Sequence, residues 1–132
     1  MKNGMSVKII TSLVILTALI IISSLYAHKL LYDDSVKLAN TIDEILKSTR
    51  SGSWEQAEDK IRRLNSDWGS IKRTWSSLID HQEIDNIDVT LARLEILIEA
   101  RDSSLSMSEA AALKRFINHI PEKESLSRDN VF

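Results

Sequence analysis

Cysteine is absent from this 132-residue chain, proline occurs once and glycine three times. The missing thiols exclude disulfides and a cysteine-linked lipid anchor, so packing must supply the stability. Scarce glycine and proline, with aromatic residues at 5%, remove the punctuation of a turn-rich all-β fold and leave helices. There is also no Gly-rich phosphate loop, no G-x-S-x-G elbow and no zinc-binding Cys/His spacing. Neither an enzyme nor a bound cofactor is therefore expected.

What the chain does have is unevenly spread. From Ile9 to Leu25 it reads IITSLVILTALIIISSL, without a charge. With the flanks Val7–Lys8 and Tyr26–Tyr32 this is long enough to cross a bilayer, which takes about 20 mostly apolar residues. A basic start and an apolar run also open a signal peptide, but cleavage after Ala27 would put Leu25 where a small residue is needed, so an uncleaved anchor is expected. Lys2 and Lys8 precede the run and only His28 and Lys29 follow it before Asp33 and Asp34, which places the N-terminus in the cytoplasm. The expected layout is a cytoplasmic segment 1–8, a transmembrane signal-anchor helix 9–32, an extracytoplasmic helical bundle 33–120 and a polar tail 121–132.

From Asp33 onward 14 Lys/Arg stand against 19 Asp/Glu, a net charge of −5. Such a domain should not bind nucleic acid by counterion release. It would also be mildly repelled by an anionic membrane surface.

Helical periodicity organises the outer part. Val36, Leu38, Ala39, Ile42, Ile45 and Leu46 predict a helix over about 34–49, continuous with the anchor, and Gly52 ends it. Ser53 and Gln56 form a capping box for a second helix. Along that helix Ala57, Ile61, Leu64, Trp68, Ile71, Trp75 and Leu78 alternate by four and three, a coiled-coil-like seam. Ile84, Ile87, Leu91, Leu94 and Ile98 form another seam, out of phase with the first, so a kink or tight turn falls near Asp80. Ser106 and Glu109 open a last helix, with Ala110, Leu113, Phe116, Ile117 and Ile120 on its apolar side, His119 near its end and Pro121 as its stop. The fold class is all-α: an N-terminal transmembrane helix followed by an antiparallel three- to four-helix bundle.

The stretch WSSLIDHQEIDNID concentrates the ionisable groups. Asp80 as N-cap, Glu83 at the third helical position, and Asp85 and Asp88 near the positive end of the helix dipole have structural roles without any ligand. His81, Asp85 and Asp88, spaced i, i+4, i+7, are also a candidate divalent-metal set, with His119 or Glu58 as ligands from another helix. Trp68 and Trp75, one heptad apart on the seam, read as core. Trp54 either caps the bundle or anchors a partner. Arg62, Arg63, Lys72 and Arg73 lie off the seam, within reach of acids across the bundle.

The order of anchor, SWEQAEDKIRRLNSDW, LIDHQEIDNIDVTLARLEILIEARD and a short helix running to HIPEKE resembles the domain-of-unknown-function family 4363. The residues Ile79, Asp80, His81, Glu83, Ile84, Asp85, Leu91, Ala92, Arg93 and Leu94 carry the most specific part of the likeness. The resemblance implies a small anchored protein of the Firmicutes, with a helical domain at a Gram-positive cell surface. It implies no activity, catalytic residue or ligand.

Function is expected to lie in binding: an accessory or interaction subunit of a membrane complex. His81, Glu83, Asp85 and Asp88, with Trp54, are the expected contact residues. The expected partners are the lipid bilayer, through the N-terminal helix, and either a membrane protein or a second copy of the chain. An extracytoplasmic sensor or metal-binding module is the alternative. The roughly eight residues before the span are too few for a signalling output, so a sensor would need a separate subunit.

Overall fold

The computed structural model describes residues 2–130. Met1, and the apolar Val131 and Phe132 of the expected tail, lie outside the described residues. Four helices make up the fold: α1 (Lys2–Arg50), α2 (Trp54–Trp75), α3 (His81–Glu99) and α4 (Ser103–Asp129). Each lies against the next, and α4 closes the ring on α1. Cross-helix pairs set the directions. Lys37–Asp67 and Lys60–Glu44 join α1 to α2, Lys72–Asp88 joins α2 to α3, Arg93–Glu109 and Lys123–Glu83 join α3 to α4, and Lys114–Asp43 joins α4 to α1. With Asn65–Glu95 as a second α2–α3 contact and Ser103–Thr49 as a second α4–α1 contact, the residue number rises on one helix as it falls on the other at each of the four interfaces. The result is an antiparallel four-helix bundle.

α1 belongs to two environments. Its apolar residues from Ile9 to Ile22 are exposed, covered by no other part of the chain, and this stretch is a candidate membrane span. From Leu31 on, the same helix supplies Leu31, Leu38, Ala39, Ile42 and Ile45 to the core. The core thus begins just inside the segment assigned to the anchor. Val36, expected on the buried side, is exposed.

The seams of α2 and α3 are buried as expected, except that Leu78 falls beyond the end of α2 and is partly exposed. The phase change between them is a tight turn: Ile79 N–H donates to the carbonyl of Trp75, and Asp80 caps α3 by accepting from the N–H of Gln82. α2 and α3 therefore form a hairpin.

Three expectations at helix ends need correction. Ser53 is the N-cap of α2 by position, but its ψ of 71° is not extended and its side chain caps nothing; its hydroxyl pairs with that of Ser51. α4 starts at Ser103, because Asp102 accepts from Leu105 N–H and acts as the cap. Ser106 is consequently inside the helix and buried, with its hydroxyl unpartnered. Pro121 does not stop α4, which continues to Asp129. An interior proline forfeits one backbone hydrogen bond and costs about 3 kcal/mol. Here Pro121 is itself buried next to the core residues Ile117 and Ile120, and Lys123 beyond it binds Glu83 on α3. Packing on both sides of the proline thus offsets the lost bond.

At the far end of the bundle both connections use a left-handed residue. After α1 it is Gly52 (φ 72°), with Ser53 N–H bonded to the Ser48 carbonyl. After α3 it is Arg101 (φ 55°), with Asp102 N–H bonded to the Leu97 carbonyl. Such closures favour glycine, since a Cβ in this conformation costs roughly 1 kcal/mol. Gly52→Ala is therefore expected to destabilise the bundle by about 1 kcal/mol, and Arg101→Gly to be neutral or stabilising. Denaturant unfolding followed by tryptophan emission reads both, because all three tryptophans lie in the bundle.

Candidate functional site

Indole groups organise the interior. Trp68 and Trp75, two turns apart on α2, meet edge to face with ring centroids 5.6 Å apart. A buried indole needs an acceptor for its N–H. Trp75 Nε1 donates to Asp34 on α1 at 3.1 Å, and Trp68 Nε1 donates to Asp88 on α3 at 2.7 Å. One helix thereby pins both of its neighbours through two carboxylates. Asp88 also accepts from Lys72, and Asn65 reaches Glu95 at 3.2 Å one turn further along the same α2–α3 boundary.

This arrangement divides the acid-rich stretch. Asp88 faces α2 and is spent on Trp68 and Lys72. Glu83 faces α4 and accepts from Lys123 at 2.9 Å. Asp80 is the cap of α3. His81 and Asp85 remain exposed on the outer side. The expected contact set His81, Glu83, Asp85 and Asp88 is thus not one surface. Nor are His81, Asp85 and Asp88 gathered to hold a metal: among the described residues no group of three or more His, Asp or Glu side chains is placed to do so. His119, expected near the end of its helix, lies within the longer α4 and is exposed.

Among the described residues two charges are perturbed. The Lys60 ammonium, by hydrogen bond and then by charge, holds the Glu44 carboxyl below its ordinary range. The Glu83 carboxylate likewise raises Lys123. Both shifted groups are at the surface and belong to the ring of cross-helix ion pairs.

The outer side of α3 carries what periodicity had not brought out. His81, Asp85, Val89, Ala92, Ile96 and Glu99 fall within about 80° of one another around the helix, and all are exposed. Val89 and Ile96 expose 53% and 64% of their surface, with Ala92 between them. An apolar centre with polar ends is the usual make-up of a protein contact. The sequence held the signal, since these positions recur by four and three beside the buried seam. Trp54, by contrast, is half-buried and packs against the core at the far end, where it lines a cavity of about 330 Å³ with Gly52, Ser53 and Arg101. A larger groove of about 810 Å³ runs between α1 and α4, lined by Leu46, Phe116, Arg115 and His119.

Comparison with known families gives a match over residues 25–131 to DUF4363, described as a domain of unknown function. The chain belongs to the DUF4363 family. The DUF4363 match takes in the whole bundle and starts at the last residue of the apolar run. Comparison with curated proteins and with solved structures returned no match.

Removing the Asp88 carboxylate should expose the worth of the indole contact. Asp88→Ala leaves a buried N–H without an acceptor and is expected to cost about 2 kcal/mol, against less for Asp88→Asn, which keeps an acceptor. Urea titration of both variants tests this, and the loss from Asp88→Ala should shrink in a Trp68→Phe background. The Glu44 shift has a pH signature. Its folded value lies below its unfolded one, so its contribution is fully present above the ordinary glutamate range and is lost as pH falls below that range through the lowered folded value. A Glu44→Gln variant should therefore lose less Tm on acidification than the parent.

Proposed function

We propose that this DUF4363 chain is a single-pass membrane-anchored protein whose bundle lies outside the cytoplasm and acts by binding, as an interaction or accessory subunit of a membrane complex. One observation carries the reading. The exposed apolar stretch and a full quarter of the bundle are the same unbroken helix, α1. A bundle mounted in this way is held at a fixed height and tilt relative to the bilayer. That suits contact with another membrane protein better than capture of a freely diffusing ligand.

The α3 stripe from Asp85 to Ile96 is the proposed docking surface. It replaces the broader acidic flank, because Glu83 and Asp88 are engaged by side chains of the neighbouring helices. A partner would cover Val89, Ala92 and Ile96 and meet the charges of Asp85 and Glu99 at its edges. The basic residues preceding the apolar run favour a cytoplasmic N-terminus in this arrangement.

Purification of the tagged full chain from its native membrane in mild detergent is the test. A stoichiometric membrane protein is expected to co-purify. Ile96→Glu, at an exposed position, should release it without changing bundle unfolding. Retention of the partner by that variant would remove the α3 stripe as the interface, and recovery of the chain by itself would contradict the accessory-subunit reading.

A further inference from the structure

The α2–α3 turn and the last turns of α4 stand at the end of the bundle where α1 enters it. Leu78 of the turn and Glu124 of α4 line one small cavity, of about 90 Å³, together with Ser24, Ala27, His28 and Leu31 of α1. Ser24 belongs to the apolar run. The foot of the bundle therefore begins beside the final turn of that run, with no stalk between them.

Length turns this into a statement about lipid. The 17 residues from Ile9 to Leu25 rise about 25 Å as a helix, while a typical hydrocarbon core is about 30 Å thick. The run has no turn to spare. Lifting Ser24 clear of the bilayer would withdraw about 3 Å more and deepen the mismatch. Whatever packs beside Ser24 must then lie within the headgroup layer.

We propose that the foot of the bundle is itself a lipid contact, with Leu78 and Leu126 entering the headgroup layer around α1. The inference rests on α1 being a membrane span. Leu126 is 64% exposed and Leu78 37%. α4 runs antiparallel to α1, so Leu126 stands at least as far toward the apolar run as Glu124 does. Around α1 at this level Tyr26, Lys29 and Tyr32 are exposed, the residue types that settle at a membrane interface. Asp80, Glu122 and Glu124 at the same end bar deeper entry and disfavour anionic lipid. The partner is thus a zwitterionic headgroup layer, held by apolar and aromatic contact.

The cysteine-free chain makes the test direct. Single variants Leu16→Cys, Leu78→Cys, Leu126→Cys and Ser104→Cys of the full chain are labelled with an environment-sensitive fluorophore. They are reconstituted in phosphatidylcholine vesicles carrying nitroxide quenchers at shallow or deep positions. The expected result is loss of Leu16 emission to the deep quencher, loss of Leu78 and Leu126 emission to the shallow one, and no loss at Ser104 at the far end. Quenching at Leu16 with Leu78 and Leu126 no more affected than Ser104 would overturn the lipid contact while leaving the span intact. An unquenched Leu16 would overturn the span and this proposal with it. Shielding of Leu126 in native membranes but not in pure lipid would assign the foot to a protein and overturn the lipid contact.

Discussion

From Met5 to Ser51 the chain contains neither glycine nor proline, and α1 runs unbroken over 49 residues, roughly 70 Å. Everything else in the molecule depends on that continuity. The exposed apolar half and the core-forming half cannot reorient independently without breaking helical hydrogen bonds. The position of the other three helices is therefore referred to the axis of the apolar segment. A flexible linker after residue 25 would have left a tethered domain; the chain has instead a rigid mount.

The bundle is fastened to that mount by α2. Its two buried tryptophans touch each other and donate in opposite directions, to Asp34 on α1 and to Asp88 on α3. Apolar seams fix which faces are buried but tolerate sliding by a heptad. A directional N–H bond to a carboxylate does not, so the indole pairs set the vertical register of α1, α2 and α3. The surface ion pairs between each helix and its neighbours add little stability singly. They agree with the same register, and they spend acids that the sequence had left available for ligands.

Much of the fold was legible in the sequence because it rests on local rules. The apolar run, the breaks at Gly52 and near Asp80, the Asp80 cap and both long seams follow from periodicity and turn chemistry. The misses are places where tertiary packing outweighed a local signal. Pro121 stands inside α4 because burial around it compensates for the missing N–H. Ser106 resembled a cap, yet Asp102, four residues earlier, took that role. Ser53 lacks the backbone angle that a capping hydroxyl needs. The site was legible only in part. Asp88 as the acceptor for Trp68 is a contact twenty residues away, and periodicity on one helix does not reveal which carboxylate meets which indole. The outward α3 stripe was present in the sequence but overshadowed by the stronger buried seam.

The central claim is that α1 carries the apolar segment and the bundle as one rigid body, and a distance measurement along it is the most direct check. Spin labels at Leu16→Cys and Asn40→Cys, both exposed, lie 24 residues apart on one helix, about 36 Å if it is continuous. Pulsed dipolar spectroscopy on the full chain in phosphatidylcholine nanodiscs should give a single narrow distribution near that value. A broad distribution, or one centred at a clearly shorter distance, would mean that the helix bends or breaks between the apolar segment and the bundle, and would contradict the account.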